Sequence, residues 1–284
     1  MKKIIFVVVS MITSYIINAQ VKTPAPSPHC TISQVVGLTD VTVDYSRPSA
    51  KGRAVFGDLV PFGKLWRTGA NANTTVTFSE DVVINGTTLK KGKYAIFTTP
   101  KADMWEVVFY TDTDNWGTPD NWNANKVAVM TNVDPFTLNK NVETFTVGIG
   151  NLTNDSATLD ISWEKTMVSV KFEVPTQKAA MASIEKTLAG ATAGDYFSAA
   201  QYYYQSNGDM NKALEYVNKA TSMVKAGEDA PFWQLRQKSL IQAKLGDKTG
   251  AIATAKLSLA GAEKAKNNDY VKMNNDSIKE WSKK

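Results

Sequence analysis

The chain has 284 residues, of which 43% are hydrophobic and 21% charged, with a formal charge of +5 at pH 7. This composition is typical of a globular protein with one large domain or two ordinary ones. The 32 basic and 27 acidic residues are interspersed without a basic run, so a nucleic-acid-binding role has no electrostatic basis.

The counts of cysteine and histidine exclude several kinds of site. Cys30 and His29 are the only residues of their types. One cysteine cannot form an intramolecular disulfide or a dithiol redox centre, and a Cys/His zinc site needs more such ligands. On a strand the two side chains would point to opposite faces, which disfavours a Cys–His catalytic pair. We therefore predict no metal site and no cofactor.

The first 20 residues, "MKKIIFVVVSMITSYIINAQ", begin with two lysines and continue with an apolar stretch that ends near a small residue, Ala19. The stretch is too short and too interrupted for a membrane span. We predict a cleaved signal peptide over residues 1–20 and a protein of the periplasm or the extracellular space that does not span the membrane. Loss of Lys2 and Lys3 lowers the formal charge from +5 to +3. The proline-rich residues 21–30 predict an extended leader.

Residues 31–174 alternate short apolar runs with turn residues. β-branched and aromatic residues dominate runs with period two, which predict many short strands and an antiparallel β-sandwich or barrel-like domain. The Asn85-Gly86 pair predicts a tight hairpin turn, and "EKT" (164–166) predicts another. The runs are "VTVDYS" (41–46), "TTVTFS" (74–79), "DVVING" (81–86), "KYAIFTT" (93–99), "WEVVFYT" (105–111), "KVAVMT" (126–131), "VETFTVGIG" (142–150), "SATLDISWE" (156–164) and "MVSVKFEV" (167–174).

Residues 175–284 change to an apolar spacing of three and four, which predicts helices. The expected order is an opening helix over 176–188, two helix pairs and a capping helix over 269–282. Segments 207–220 and 245–260 are similar at an offset of 38 residues, and the pattern resembles the tetratricopeptide repeat. The matched pairs are Gly208 and Gly246, Asp209 and Asp247, Ala213 and Ala251, and Ala220 and Ser258. The whole chain is thus predicted as α+β in two domains, the second an all-α tetratricopeptide-like helical domain.

Three consecutive tyrosines occur on the first helix of the first pair, at residues 202–204. Three adjacent aromatic side chains cannot all face inward on a helix. At least one should lie on a groove or against the β-domain. Because tetratricopeptide arrays bind peptides or proteins on their concave face, we predict a partner-binding role for Tyr203 and Tyr204.

Long strings of the β-half resemble the domain of unknown function 2911 family. They are "SPHCTISQVVGLTDVTVDYSRPSAKGRAVFGDLVPFGKLWRTGANANTTVTF", "INGTTLKKGKYAIFTTP" and "WEVVFYTDTDNWG". The resemblance covers about residues 27–174. It implies a secreted protein of a Gram-negative bacterium, a β-fold and a candidate site, but no reaction.

The segment from Tyr45 to Phe78 holds the densest set of polar and turn-forming residues. Arginine offers a rigid donor fork that suits carboxylates and phosphates, and tryptophan offers a flat stacking surface. A small polar or sugar ligand is therefore predicted here. The structural alternative is that Arg47 pairs with an acid and that Trp66 belongs to the core. The candidate ligand-binding residues are Arg47, Arg53, Trp66, Arg67, Asn71 and Asn73.

A catalytic role finds little support in the same segment. It contains no histidine or cysteine, and the chain has no G-x-S-x-G motif. The aspartates and asparagines of residues 112–122 favour Asx turns over a hard-cation site. The leading hypothesis is a non-catalytic ligand- or protein-binding protein. The alternative is a hydrolase of envelope or extracellular carbohydrate that uses Arg67 and Asp58. The first hypothesis gains if Arg53, Arg67, Asn71 and His29 converge in an open pocket.

Overall fold

The computed structural model of the protein describes residues 23–225 and 227–283. The predicted signal peptide, residues 1–20, lies outside the described residues. An antiparallel β-domain comes first and α-helices follow it, which confirms the predicted α+β fold class and its order.

Two antiparallel sheets make up the β-domain. Six strands follow one another in the order β1-β2-β3-β6-β7-β8, and four in the order β5-β4-β10-β9. Among the described residues the strands are β1 (His29–Val36), β2 (Thr39–Ser46), β3 (Thr75–Phe78), β4 (Val82–Ile84), β5 (Thr87–Leu89), β6 (Gly92–Thr99), β7 (Trp105–Tyr110), β8 (Val127–Val133), β9 (Phe136–Gly150) and β10 (Ser156–Glu173).

The two sheets pack face to face as a sandwich. Alternate residues of β2 are buried, as the period-two pattern predicts, and they join buried residues of β10 in one apolar core. The rings of Phe78 and Phe172, one from each sheet, lie 5.4 Å apart in an edge-to-face arrangement. The core therefore lies between the sheets.

The outer face of the six-stranded sheet carries a second, smaller apolar cluster. Ala95, Phe97, Val108 and Tyr110 are at most 1% exposed there, and the Trp122 ring stacks on Tyr110 with centroids 4.4 Å apart. Both faces of β6 and β7 are thus covered, which explains their nearly continuous burial. Uncovered parts of this outer face lie at β1, β2 and β3 and at β8, where Met130 is 56% exposed.

The predicted Asn-Gly turn is confirmed. β4 and β5 pair with only Asn85 and Gly86 between them, at φ values of 47° and 77°. Positive φ at both central residues matches a type I′ turn, whose twist suits the flanking antiparallel strands.

The predicted "EKT" hairpin is wrong, because β10 runs through it as one strand of 18 residues. The pairing with β9 shifts register on both sides of Glu164, whose φ is 50°. Ile161 and Trp163 face the core before this bulge, and Val168 and Val170 face it afterwards. The extra residue of a bulge moves the buried positions from odd to even residue numbers. In the sequence, this interruption of the alternation resembles a turn between two strands.

Two strands were not among the predicted runs. β1 begins at His29, so the last two residues of the expected leader are part of the sheet. β5 is the other, and its three residues are too few for a periodic pattern.

Helices fill the second half of the described chain, and their bounds are close to the predicted ones. The opening and capping helices are confirmed within two residues. The α-helices are α1 (Thr176–Thr187), α2 (Ala193–Gln205), α3 (Met210–Ser222), α4 (Phe232–Lys244), α5 (Lys248–Lys264) and α6 (Asn268–Trp281).

The second helices of the two pairs, α2–α3 and α4–α5, have equivalent starts. Asp209 and Asp247, 38 residues apart, are the N-caps of α3 and α5 and accept hydrogen bonds from first-turn amides. Ala213 and Ala251, one turn later, are fully buried. Small residues at these positions allow close approach of the neighbouring helices.

The helical half begins directly against the β-domain. A Cβ at Gly37, in the turn between β1 and β2, would overlap the Thr176 hydroxyl and the Asn154 carbonyl. Among residues 23–225 and 227–283, no helix has the length and apolar character that a membrane span requires.

Candidate ligand-binding site

The connection from β2 to β3, residues 47–74, covers one end of the sandwich and is pinned to both sheets. Ser49 forms a bridge to Thr144 of β9. Trp66 exchanges two backbone hydrogen bonds with Thr98 of β6, with N to O distances of 2.7 and 2.9 Å. This long connection is therefore a fixed wall of the β-domain.

A cavity of about 410 Å³ opens within this connection. Lys51, Arg53 and Arg67 line it, together with Trp66 and Trp163. None of the described residues that line it is an Asp or a Glu. Cationic side chains thus surround a partly apolar cavity, which favours a ligand that carries negative charge.

The floor of the cavity belongs to the aromatic core. The rings of Trp66 and Trp163 stack with centroids 6.0 Å apart and an angle of 18°, and Phe145 packs edge-on against Trp66 at 5.3 Å. Trp163 is 2% exposed, whereas Trp66 is partly exposed. The indole Nε1 of Trp66 donates to the Gly69 carbonyl at 3.2 Å. The predicted core role and the predicted ligand-facing role of Trp66 are therefore compatible.

Two arginines with unused donors line this cavity. The Arg53 Nε and Nη2 atoms each donate to a carbonyl of their own turn at 2.8 Å. Arg67 makes one long hydrogen bond, from Nη1 to the Asn71 carbonyl at 3.4 Å. Within the described part of the chain, no carboxylate lies within 4.0 Å of either guanidinium. Since a guanidinium has five N–H donors, Arg67 keeps most of its capacity for a ligand.

Arg47 does not line this cavity. Its Nε donates to the Phe145 carbonyl at 3.1 Å, and its Nη2 donates to the Thr146 hydroxyl at 2.8 Å. The side chain joins the end of β2 to β9, so the prediction of a ligand-binding role does not extend to Arg47. The partners are a carbonyl and a hydroxyl rather than the acid of the structural alternative.

Asn71 and Asn73 also have structural partners. The Asn71 amide donates to the Ser27 carbonyl at 3.3 Å and to the Ser46 hydroxyl at 3.2 Å, and its φ is 61°. Asn73 is 5% exposed. Its side-chain nitrogen donates to the Gly117 carbonyl at 2.8 Å, and its side-chain oxygen accepts from the backbone N–H of Asn115 at 3.2 Å. Asn71 thus positions the wall beside Arg67, and Asn73 holds the loop that follows β7.

Residues 27–172, just over half of the chain, match the family described as "Protein of unknown function (DUF2911)". The chain belongs to the DUF2911 family. The match includes the whole of β1 and ends one residue before the end of β10, so it contains nearly all of both sheets and the residues that line the cavity around Arg67, except Pro26. The DUF2911 description assigns no activity.

No curated protein and no solved structure was found to match this chain. The six helices lie beyond the residues matched to the DUF2911 family.

His29, which sequence reasoning left in the leader, is part of the DUF2911 sheet. It is exposed on the outer face of β1, whereas its neighbour Cys30 packs against the core. The prediction that the two side chains face opposite ways on a strand is confirmed. His29 lines a second cavity with Asn73 instead of joining Arg67. The two-residue turn Gly37-Leu38 before β2 was the sequence signal that could have identified β1 and placed His29 on it.

Within the described ranges, no three His, Cys, Asp or Glu side chains converge in a way that could hold a metal ion.

The three tyrosines of α2 have different environments. Tyr203 is 5% exposed and packs in the helical core, so it presents no surface to a partner. Tyr204 is partly exposed, and the Lys244 ammonium lies 4.9 Å from its ring centroid. Tyr202 lines a cavity with Leu38 of the DUF2911 domain, which confirms that one of the three faces a groove or the β-domain.

Proposed function

We propose that this protein is a non-catalytic binding protein of the periplasm or extracellular space. Its β-domain takes up an anionic ligand with a flat apolar face, such as an acidic sugar, in the cavity around Arg67. The observation that supports the proposal most directly is that Arg53 and Arg67 line one cavity with Trp66, with no carboxylate of the described chain within 4.0 Å of either guanidinium.

The arrangement suits recognition of a carboxylate or phosphate. The Arg67 guanidinium can donate two parallel hydrogen bonds to such a group, and Trp66 can stack against an apolar face of the ligand. Because Trp66 is fixed by its own hydrogen bond and by packing on Trp163, little conformational entropy is lost on binding.

The hydrolase alternative receives less support from the same geometry. General acid–base catalysis needs a titratable group within hydrogen-bond reach of the substrate. The residues lining the cavity include no histidine and no carboxylate, and Asp58 is exposed and does not line it. A binding role therefore fits this cavity better than hydrolysis.

The test compares trigalacturonic acid with its methyl ester, because the pair differs in charge and little in shape. Isothermal titration calorimetry with the whole mature chain should detect binding of the acid and much weaker binding of the ester. Loss of a charge-assisted hydrogen bond is worth about 1.5–3 kcal/mol, so Arg67→Ala should weaken binding by about tenfold or more. Lys64→Ala is the matched control, since Lys64 is exposed in the same connection and does not line the cavity.

Two results would contradict the proposal for this cavity. One is equal affinity for the acid and its ester. The other is an affinity that Arg67→Ala and Lys64→Ala change to the same extent. A panel of phosphorylated and carboxylated sugars with no measurable binding would also reject it.

The proposed location outside the cytoplasm is inferred from residues 1–20, which have the pattern of a signal peptide. Fractionation of cells that express the full chain should find a shortened protein outside the cytoplasm. N-terminal sequencing should then begin near residue 20 or 21. A full-length protein in the cytoplasm would reject this part.

The helical half is proposed to be tetratricopeptide-like and to bind a peptide or protein partner. The 38-residue offset between Asp209 and Asp247 supports the repeat, and partly exposed Tyr204 with Lys244 offers a contact surface. Peptide display against the purified protein should enrich a sequence that Tyr204→Ala binds about tenfold more weakly. Failure to enrich any sequence, or full binding by Tyr204→Ala, would count against it.

A further inference from the structure

A second cavity, of about 420 Å³, lies on the other side of residues 69–73. It opens between the outer face of the six-stranded sheet, at β1 to β3, and the loop that follows β7. This is one of the parts of the outer face that the Phe97–Tyr110 cluster leaves uncovered.

The sheet wall of this cavity is a row of polar side chains. Asp44 and Thr75 line the cavity, and strand register places them side by side on β2 and β3, with Thr31 of β1 beside Asp44. The Thr31 hydroxyl donates to Oδ1 of Asp44 at 2.5 Å, and Nε2 of His29 lies 3.5 Å from the same oxygen. The row therefore offers a carboxylate and an imidazole whose positions are set by strand pairing.

The opposite wall is a loop held from both ends. Asn73 binds the Asn115 amide and the Gly117 carbonyl, and the Lys126 ammonium lies 2.6 Å from Oδ2 of Asp112. Between these anchors, Trp116 lines the cavity and is 77% exposed. A large aromatic side chain that is so exposed on a fixed loop is unusual, and exposed aromatic surface beside polar groups is a feature of binding sites.

The charged groups around this cavity are of both signs. Asp44 and Asp114 supply two carboxylates, and Lys93 supplies an ammonium, with His29 as a further donor or acceptor. Such a mixed set matches hydroxyl groups, which both donate and accept, better than it matches a net anion. The indole of Trp116 supplies the flat apolar surface that the C–H face of a sugar ring requires.

We infer that this second cavity binds a neutral, polyhydroxylated ligand, a sugar unit stacked on Trp116 with its hydroxyls hydrogen-bonded to Asp44 and Lys93. This inference does not rest on the function proposed for the cavity around Arg67.

The experiment uses the whole mature chain and three neutral probes, maltotetraose, cellotetraose and chitotetraose, in calorimetric titrations. At least one probe should bind, and Trp116→Ala should weaken its binding by about tenfold while Trp116→Phe keeps most of it. Trp122→Ala is the matched control, because Trp122 is 39% exposed and stacks on Tyr110 outside this cavity. Circular dichroism confirms that each variant is folded.

A second variant separates the two cavities. Asp44→Asn should weaken binding of the neutral probe, whereas Arg53→Ala, at the rim of the first cavity, should leave it unchanged. The inference is overturned if none of the three probes binds, if Trp116→Ala binds as tightly as Trp122→Ala, or if Arg53→Ala removes the binding. None of these results decides the binding of trigalacturonic acid at Arg67, so the two proposals fail independently.

Discussion

The two cavities share the segment of residues 69–73 as a wall but are built from different parts of the sandwich. The cavity around Arg67 has the aromatic core as its floor and cations at its rim. The cavity around Trp116 has the polar outer face of the sheet as its floor and a loop as its cover. In the first, ligand binding and fold stability depend on the same rings. In the second they are separable, because Trp116 contributes surface and little packing.

The largest expected difference comes from one tryptophan in each cavity. Trp163→Ala should lower the free energy of unfolding by about 3–5 kcal/mol, because it empties a buried site between Trp66 and Phe145. Trp116→Ala should change it by no more than about 0.5 kcal/mol, as an exposed substitution. Urea unfolding followed by far-UV circular dichroism measures both. Similar losses in the two variants would show that the cavities do not differ in this way.

The next largest effect concerns the side chain that joins the two regions. Asn73→Ala leaves the Gly117 carbonyl and the Asn115 amide without partners, which should cost about 1–3 kcal/mol. Amide hydrogen exchange at Asn115 should speed up in the same variant. Asn132→Ala, at an exposed position of β8, is the control and should change neither quantity. Unaltered exchange at Asn115 would mean that Asn73 does not hold the loop.

A smaller effect is expected where the loop of the second cavity touches the first. Gly117 has a φ of 113°, and a Cβ there would lie 3.1 Å from Nη1 of Arg67. Gly117→Ala should lower the free energy of unfolding by about 2 kcal/mol, and it should also weaken binding of trigalacturonic acid because Arg67 must move. Gly63→Ala has a positive φ of 70° but open space around it, so it should cost about 1 kcal/mol and leave binding unchanged. Equal binding by the two variants would argue that the cavities are not coupled.

The smallest effect is the response of the loop to acid. The hydrogen bond from Lys126 lowers the pKa of Asp112. Because the folded-state pKa lies below the unfolded one, the contribution of Asp112 is complete above the unfolded value of about 3.9. It is lost as the pH falls through the folded-state pKa. Unfolding measured from pH 7 to pH 2.5 should therefore have a shallower pH dependence in Asp112→Asn than in the natural chain. Identical curves would show that the exposed Lys126–Asp112 pair makes no measurable contribution to the free energy of unfolding.

Much of the fold could be predicted from local patterns because the responsible forces are local. The alternation of apolar and polar residues identified most strands, and it agrees with the burial observed in β2. The Asn85-Gly86 pair identified its turn, because both residues tolerate the positive φ values that the turn requires. The change of parity at Glu164 could not be distinguished from a turn, because both place polar residues between apolar runs. The expected hairpin was wrong for that reason.

The location of the candidate site was predictable from the sequence, but the identity of all the residues that line it was not. Arg53, Trp66 and Arg67 lie at one cavity, as their density in the sequence suggested. Arg47 has the same chemistry, and only the pairing of its donors with β9 separates it from Arg67. His29 and Asp44 meet through the register of the β1–β2 hairpin, which the two-residue turn Gly37-Leu38 sets and which the assignment of His29 to the leader missed.

The bulge at Glu164 has a further consequence for how this strand can change. The Glu164 carboxylate accepts a hydrogen bond from the Val55 amide at 3.0 Å, so the irregular residue is itself tied to the connection that carries the cationic cavity. The irregularity at this position accounts for the change of parity between Trp163 and Val168, so deletion of Glu164 would put Val168 and Val170 in unbroken alternation with Trp163 and keep them on the core face. Insertion or deletion of one residue elsewhere in β10 would instead turn the rest of the strand over. A change of length should therefore be tolerated at this bulge better than at other points of the strand.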